Sequence, residues 1–174
     1  MFNMKYMTLR TALLPALSAT LFACAQLEPS DRVASRDAQL VRSIVQANLA
    51  EIAAGRLAVS KARSRAVRGY AQRMIDDHTA LQIEGSELKS AQGIPLPTHA
   101  GSDQQTALRK LEALSGESFE RAYLELMVKD HADTLRLFER TASRAADPAL
   151  RGYAERAIPH IRRHLESAER LAWH

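Results

Sequence analysis

Apolar residues return along this chain at alternating steps of four and three, the interval that keeps a stripe on one face of an α-helix. Four long stretches carry the pattern. The first runs from Arg36 to Ala62 and puts Val41, Val45, Asn48, Ile52, Gly55 and Val59 on one seam. The second follows Ser64, a suitable N-cap, and reaches Gln92 with Gly93 just beyond; its seam is Val67, Ala71, Met74, His78, Leu81, Gly85 and Leu88. The third spans Ser118 to Ala145, with Leu124, Met127, His131, Leu135, Phe138 and Ala142 in line. The fourth opens at Asp147-Pro148, an N-cap followed by a proline in the first turn, and runs to the C-terminus along Leu150, Ala154, Ala157, Ile161, His164, Ala168 and Leu171. Pro159 lies inside it and should kink it, curving it around the bundle or opening the core beside His164.

The connections differ in length. Tight turns separate the first helix from the second and the third from the fourth. Between the second and third lies GIPLPTHAGS, residues 93–102, whose prolines and glycines make a loop. Ser102 can cap a short helix over Asp103–Leu114, and Ser115 and Gly116 break the chain again. The expectation is an all-α domain over residues 36–174: a four-helix bundle of two helical hairpins joined by a long crossover containing a short helix. That connectivity is ferritin-like, because simple up-and-down bundles have only short loops. RGYAQR, residues 68–73, and RGYAER, residues 151–156, start the second member of each hairpin. The repeated Gly69 and Gly152 would allow close helix approach near each turn. The repeated Tyr70 and Tyr153 would set their hydroxyls at the wet end of the bundle.

Residues 1–23 read differently. Lys5 and Arg10 form a basic start, and an apolar run from Ala12 to Ala23 is too short to span a bilayer. The run ends in LFAC, which resembles the bacterial lipoprotein signal, with Phe22 a departure from the smaller residue usual there. Cys24, the sole cysteine, would be the lipidated N-terminus, and residues 24–35 a tether to the domain. No disulfide is then available, and the fold must hold by packing. Ala25 after the cysteine, where an aspartate would signal inner-membrane retention, favours the outer membrane, with the domain facing the periplasm. The lipid is the expected membrane attachment.

Composition agrees with helices and excludes some partners. Aromatic residues are 5% of the chain, and the 7 glycines and 6 prolines cluster. Setting aside Lys5 and Arg10 from the 24 basic residues leaves 22 against 20 acidic ones, mixed along every segment. Such solvated faces offer no basic surface for nucleic acid. Protein partners are not legible.

Three seams contain a histidine. His78 lies about 15 residues beyond the first tight turn, His131 about 15 before the second, and His164 about 17 after it; at 1.5 Å per residue all three fall within about one turn of mid-bundle. Asn48 and Glu51 on the first helix reach the same level. Buried imidazoles and a carboxylate must satisfy one another or bind something. Two readings therefore stand: a closed hydrogen-bonded network, or one transition-metal ion (iron, zinc or copper) held by His78, His131, His164 and Glu51. Asp77 and Asp130 would orient imidazoles from behind, with Asp133 nearby and His160 in reserve. His99 and His174 read as surface groups. A di-iron centre needs Glu-x-x-His, and Ile75 and Ile161 stand where the glutamates should be. Met74 and Met127 lie one turn before two of the histidines, where thioethers would suit copper or simply fill the core. No nucleophilic triad, phosphate-binding loop or cysteine-rich zinc pattern is present, so enzymatic activity is not expected.

Five stretches together carry a family resemblance: AEIAAGRLA (50–58), VRGYAQRMIDDHTA (67–80), FERAYLELMVKDH (119–131), LFERTA (137–142) and AIPHIRRHLESAERLA (157–172). Over residues 36–172 the chain resembles an exported bacterial, ferritin-like family of domains of unknown function, often labelled outer membrane proteins. The resemblance implies a four-helix fold in the cell envelope and points to His78, His131 and His164, with Glu51 and Asp77, as the polar core. The expected function is a non-enzymatic binding or interaction module serving envelope stress or metal handling. The alternative is a metal-dependent redox or metal-storage protein.

Overall fold

The computed structural model describes residues 29–88 and 93–173. The leader at 1–23, Cys24 and the first part of the tether lie outside the described residues. Among the described residues the chain is all helical, with no strand. Its five helices are α1 (Pro29–Lys61), α2 (Arg65–Glu87), α3 (Ser102–Glu112), α4 (Gly116–Arg144) and α5 (Pro148–Ala172). No described helix is long and apolar enough to cross a membrane.

Local chemistry sets the boundaries. Ser64 caps α2 by accepting from the Val67 amide, and Asp147 caps α5 by accepting from the Ala149 amide ahead of Pro148, both as the sequence leads one to expect. Four boundaries differ from expectation. α1 starts at Pro29 rather than Arg36, because proline suits the first turn and nothing between Ser30 and Asp37 breaks a helix, so residues 29–35 of the expected tether are helical. α2 ends at Glu87 rather than Gln92. Leu88 stays buried but turns extended (ψ 138°), which stops the helix there. α3 is capped by Gly101 rather than Ser102, with the Gln104 side chain accepting from the Gly101 amide at 2.8 Å. Gly116, an expected breaker, is instead the first residue of α4 at φ +58°, a conformation that needs glycine.

α1 packs chiefly on α2 and α4 on α5; the short α3 lies against α1 and α4. The core is divided in two. One apolar cluster joins Val41, Ile44 and Val45 of α1, Leu81 of α2, Phe138 of α4 and Tyr153, Ala157 and Ile161 of α5. The other joins Ala54 and Ala58 of α1, Tyr70 and Met74 of α2, Tyr123 and Met127 of α4 and Ala168 of α5. On all four long helices, buried polar residues fall between the two sets: Asn48 and Glu51, His78, His131, and His164.

The RGYA repeat has a definite job. Arg68 Nη1 donates to the carbonyls of Ala62 (2.8 Å) and Arg63 (2.7 Å), the free oxygens where α1 ends. Arg151 Nη1 donates to Ala145 (2.7 Å) and Ala146 (3.0 Å) where α4 ends. Each arginine thus closes the preceding helix across its turn, where orphan carbonyls would otherwise lack partners. The turn amides are satisfied just as symmetrically. Glu120 of α4 accepts from the amides of Arg63 and Ser64, and Asp37 of α1 accepts from Ala146 (3.3 Å) and Asp147 (2.8 Å). One constant offset along the chain relates every member of these pairs.

The repeated glycines and tyrosines behave otherwise than expected. A Cβ on Gly69 would meet nothing closer than Arg73 of its own helix, at 3.9 Å, and one on Gly152 would meet only Arg156, so neither brings helices together. Close approach belongs to Gly55, whose Cβ would lie 2.9 Å from Ile75 and 3.1 Å from the Ala71 carbonyl. Tyr70 and Tyr153 are fully buried rather than wet at the hydroxyl; Tyr153 donates to the Leu81 carbonyl at 3.0 Å. Pro159 sits on the exposed side of an uninterrupted α5.

Two outcomes test this packing. Gly55→Ala should destabilise by about 1–3 kcal/mol through overpacking, whereas Gly69→Ala should stabilise by about 0.5–1 kcal/mol through helix propensity. Asp37→Ala and Glu120→Ala should each lose about 1–2 kcal/mol, because each strips two turn amides of their acceptor. Urea denaturation followed by circular dichroism reads all four.

Candidate metal centre

Seam spacing on three different helices delivers His78 from α2, His131 from α4 and His164 from α5 to one place. Their ring centroids form a nearly equilateral triangle, 5.5, 5.4 and 5.4 Å on its sides. All three rings are buried. One nitrogen of each ring lies within 4.8 Å of one nitrogen of each of the others.

Each ring is held from its outer edge by an oxygen. His78 Nδ1 is 3.1 Å from Asn48 Oδ1, an amide oxygen that can only accept. His131 Nδ1 donates to the Met127 carbonyl at 2.9 Å. His164 Nε2 donates to Asp77 Oδ2 at 2.7 Å. These acceptors place the proton on the outer nitrogen of each ring and leave the other nitrogen bare. The bare nitrogens are His78 Nε2, His131 Nε2 and His164 Nδ1, and all three are buried without a hydrogen-bond partner. The rings are neutral. Burial pushes His78 well below the usual imidazole range, with His131 and His164 adding to it. Burial and His164 push His131 down to about 4 against the bond to Met127. Burial lowers His164 despite the bond to Asp77.

Three buried lone pairs without a protein partner are a liability unless something accepts them. A metal ion does so. Tetrahedral donors about 2.0–2.1 Å from an ion stand about 3.3 Å apart, so the rings would need to close by no more than about 1.5 Å. Each ring's outer bond is also the kind of support that orients a metal-ligating histidine and selects its tautomer.

The other expected site residues take different places. Glu51 is buried, but its oxygens do not join the three nitrogens. Its Oε1 lies 3.9 Å from the outer nitrogen of His131, and its Oε2 has no partner. Burial, then Asp130, push its carboxyl well above the usual range. Both groups are therefore neutral and their contact is not an ion pair. Asp77 supports His164 as anticipated. Asp130 contacts Lys129 at 3.6 Å and bonds no imidazole. Asp133 pairs on the surface with Lys129 and Arg136. His160 is exposed and outside the cluster.

Two tyrosines that the sequence reading left out of the centre adjoin it. Tyr70 and Tyr123 pack edge-on at 6.2 Å, and both hydroxyls are buried and unpartnered, like Glu51 Oε2. Burial pushes both phenols upward. A sequence signal for them existed. Tyr70, Met74 and His78 on α2, and Tyr123, Met127 and His131 on α4, repeat one Tyr-x3-Met-x3-His stripe.

An all-helical domain whose core is cut by a layer of three buried histidines, able to hold a metal ion, is the class that fold and site define. The model of a family described as a domain of unknown function (DUF4142) matches residues 23–171, and the chain belongs to that family. No curated protein and no solved structure matches the chain.

The buried groups oppose one another in pH. The depressed histidines are protonated in the unfolded chain first, so their contribution is present above their ordinary value of 6.5 and is lost as pH falls towards about 4, the value for His131. Glu51 is raised above its ordinary 4.5, so its contribution is present below that value and is lost as pH rises. Glu51→Gln should therefore be more stable than the parent at pH 8 and no more stable at pH 4, and His131→Gln should flatten the loss between pH 6.5 and 4. Thermal melts across pH check both.

Proposed function

We propose that this protein is an envelope lipoprotein whose helical domain binds one transition-metal ion through His78, His131 and His164. The observation that carries the reading is the pairing of each ring: one nitrogen held by a protein oxygen, the other bare and turned to no protein partner. A network built only to satisfy itself would not leave one lone pair orphaned on each ring. The function is binding, in the sense of metal handling. Asp77, Asn48 and the Met127 carbonyl orient the ligands, and the ion accepts the three lone pairs when it is bound.

The proposed architecture is ferritin-like, two hairpins with a long crossover. Membership of the two core clusters supports it. The start of α1, the end of α2, the end of α4 and the start of α5 share one cluster, and their opposite ends share the other. α1 then runs against α2 and α4 against α5, and the segment between α2 and α4 must travel the length of the bundle. Export and attachment through Cys24 rest on the basic start, the apolar run and LFAC in residues 1–24. Ala25, where an aspartate would signal inner-membrane retention, supports the outer membrane, and the domain is proposed to face the periplasm.

Full-length untagged protein, taken from the envelope without chelator, should contain about one transition-metal ion per chain by elemental analysis. Asp77→Asn should lower affinity about 10-fold, and His131→Ala by more than the about 100-fold that loss of a supporting group can cost. Cys24→Ser should leave metal content unchanged and release the protein from membranes. Metal-free protein would remove the metal reading, and a Cys24→Ser protein still in the membrane would remove the lipoprotein reading.

A further inference from the structure

We infer that the ion this centre selects is monovalent copper. The inference rests on the metal-binding reading above and adds the identity of the ion.

Charge separates the candidate ions. The donors that face one another are three imidazoles, and no carboxylate oxygen stands with them. Asp77 is engaged on the far side of the His164 ring, and its side chain is 44% exposed. Glu51 lies against the outer nitrogen of His131. An ion here therefore brings its whole charge into a layer bounded on both sides by hydrocarbon. The cost of transferring an ion into such a medium grows with the square of its charge, so a monovalent ion meets about a quarter of the penalty of a divalent one. Zinc and ferrous iron usually offset that penalty with carboxylate, thiolate or a bound hydroxide.

Coordination number separates them again. Three-histidine zinc sites keep an open fourth position for water. Here the ligands are 1%, 0% and 6% exposed, which leaves a ring without a solvent-facing side. Copper(I) is satisfied by two or three ligands and does not need that water.

Soft side chains flank the histidines along the chain. The nearest seam positions on α2 and α4, one turn before His78 and His131, are Met74 and Met127, both fully buried. Thioethers favour copper(I) and imidazole accepts copper among other transition metals, while carboxylate and water favour harder ions.

The test uses the full-length protein in detergent, stripped of metal. Copper(I) is titrated anaerobically against bathocuproine disulfonate, and zinc(II) against a chromogenic zinc chelator in parallel. One copper(I) per chain, held at least about 100-fold more tightly than zinc(II), is the expected result. X-ray absorption at the copper edge should then report nitrogen donors on reduced copper. Since His→Ala variants can unfold, Glu51→Gln is the companion: it should keep copper(I) affinity within about threefold, because a neutral donor set needs no carboxylate. Zinc(II) bound as tightly as copper(I), or copper(I) lost in Glu51→Gln, overturns the inference and leaves the metal site standing. Protein that takes up neither ion overturns both.

Discussion

The constraint on which the rest of this structure depends is the burial of three neutral imidazoles between two separate apolar clusters. Each ring sits where an apolar side chain would pack well, and each is retained with only half of its hydrogen-bonding capacity used. That arrangement costs stability unless the outer nitrogens are held, which explains Asn48, the Met127 carbonyl and Asp77. Holding the outer nitrogens decides the tautomers, and the tautomers decide which lone pairs point into the layer. The geometry and the electrostatics thus have one origin: burial keeps the rings neutral, and neutral rings have a bare nitrogen to offer.

The scaffold around that layer repeats while the layer itself does not. The same offset that relates Arg68 to Arg151, Tyr70 to Tyr153 and Asp37 to Glu120 pairs His131 with Asn48, Glu51 with Thr134, His78 with Ile161 and His164 with Leu81. Turn closure is a generic requirement at the end of any helix pair, so both halves meet it with the same arginine and with a carboxylate at the matching position. A three-ligand cluster cannot be symmetric about a two-fold relation unless a ligand lies on the axis. In this chain two histidines come from one half and one from the other. Neighbouring tyrosines follow the same rule: Tyr153 finds the Leu81 carbonyl, while its counterpart Tyr70 has no partner and lies near Glu51 and Tyr123.

Much of this was legible in the amino-acid order, because seam periodicity, Ser64, Asp147-Pro148 and the tight turns are local signals governed by local rules. They specify an all-α chain, four long helices and the common height of His78, His131 and His164. The Tyr-Met-His stripe was equally visible on α2 and α4, but its meaning depended on which neighbour each stripe faced. Only the tertiary structure decided that Gly55 rather than Gly69 or Gly152 marks a close helix approach, since an open and a crowded glycine look alike in sequence. Only it decided that Tyr70 and Tyr153 are dry, that α1 begins at Pro29, and that Glu51 lies behind His131 rather than among the three nitrogens. Height along a helix follows from counting residues. The direction of a side chain across the core follows from how four helices rotate against one another, and that rotation is set by contacts between residues far apart in the chain.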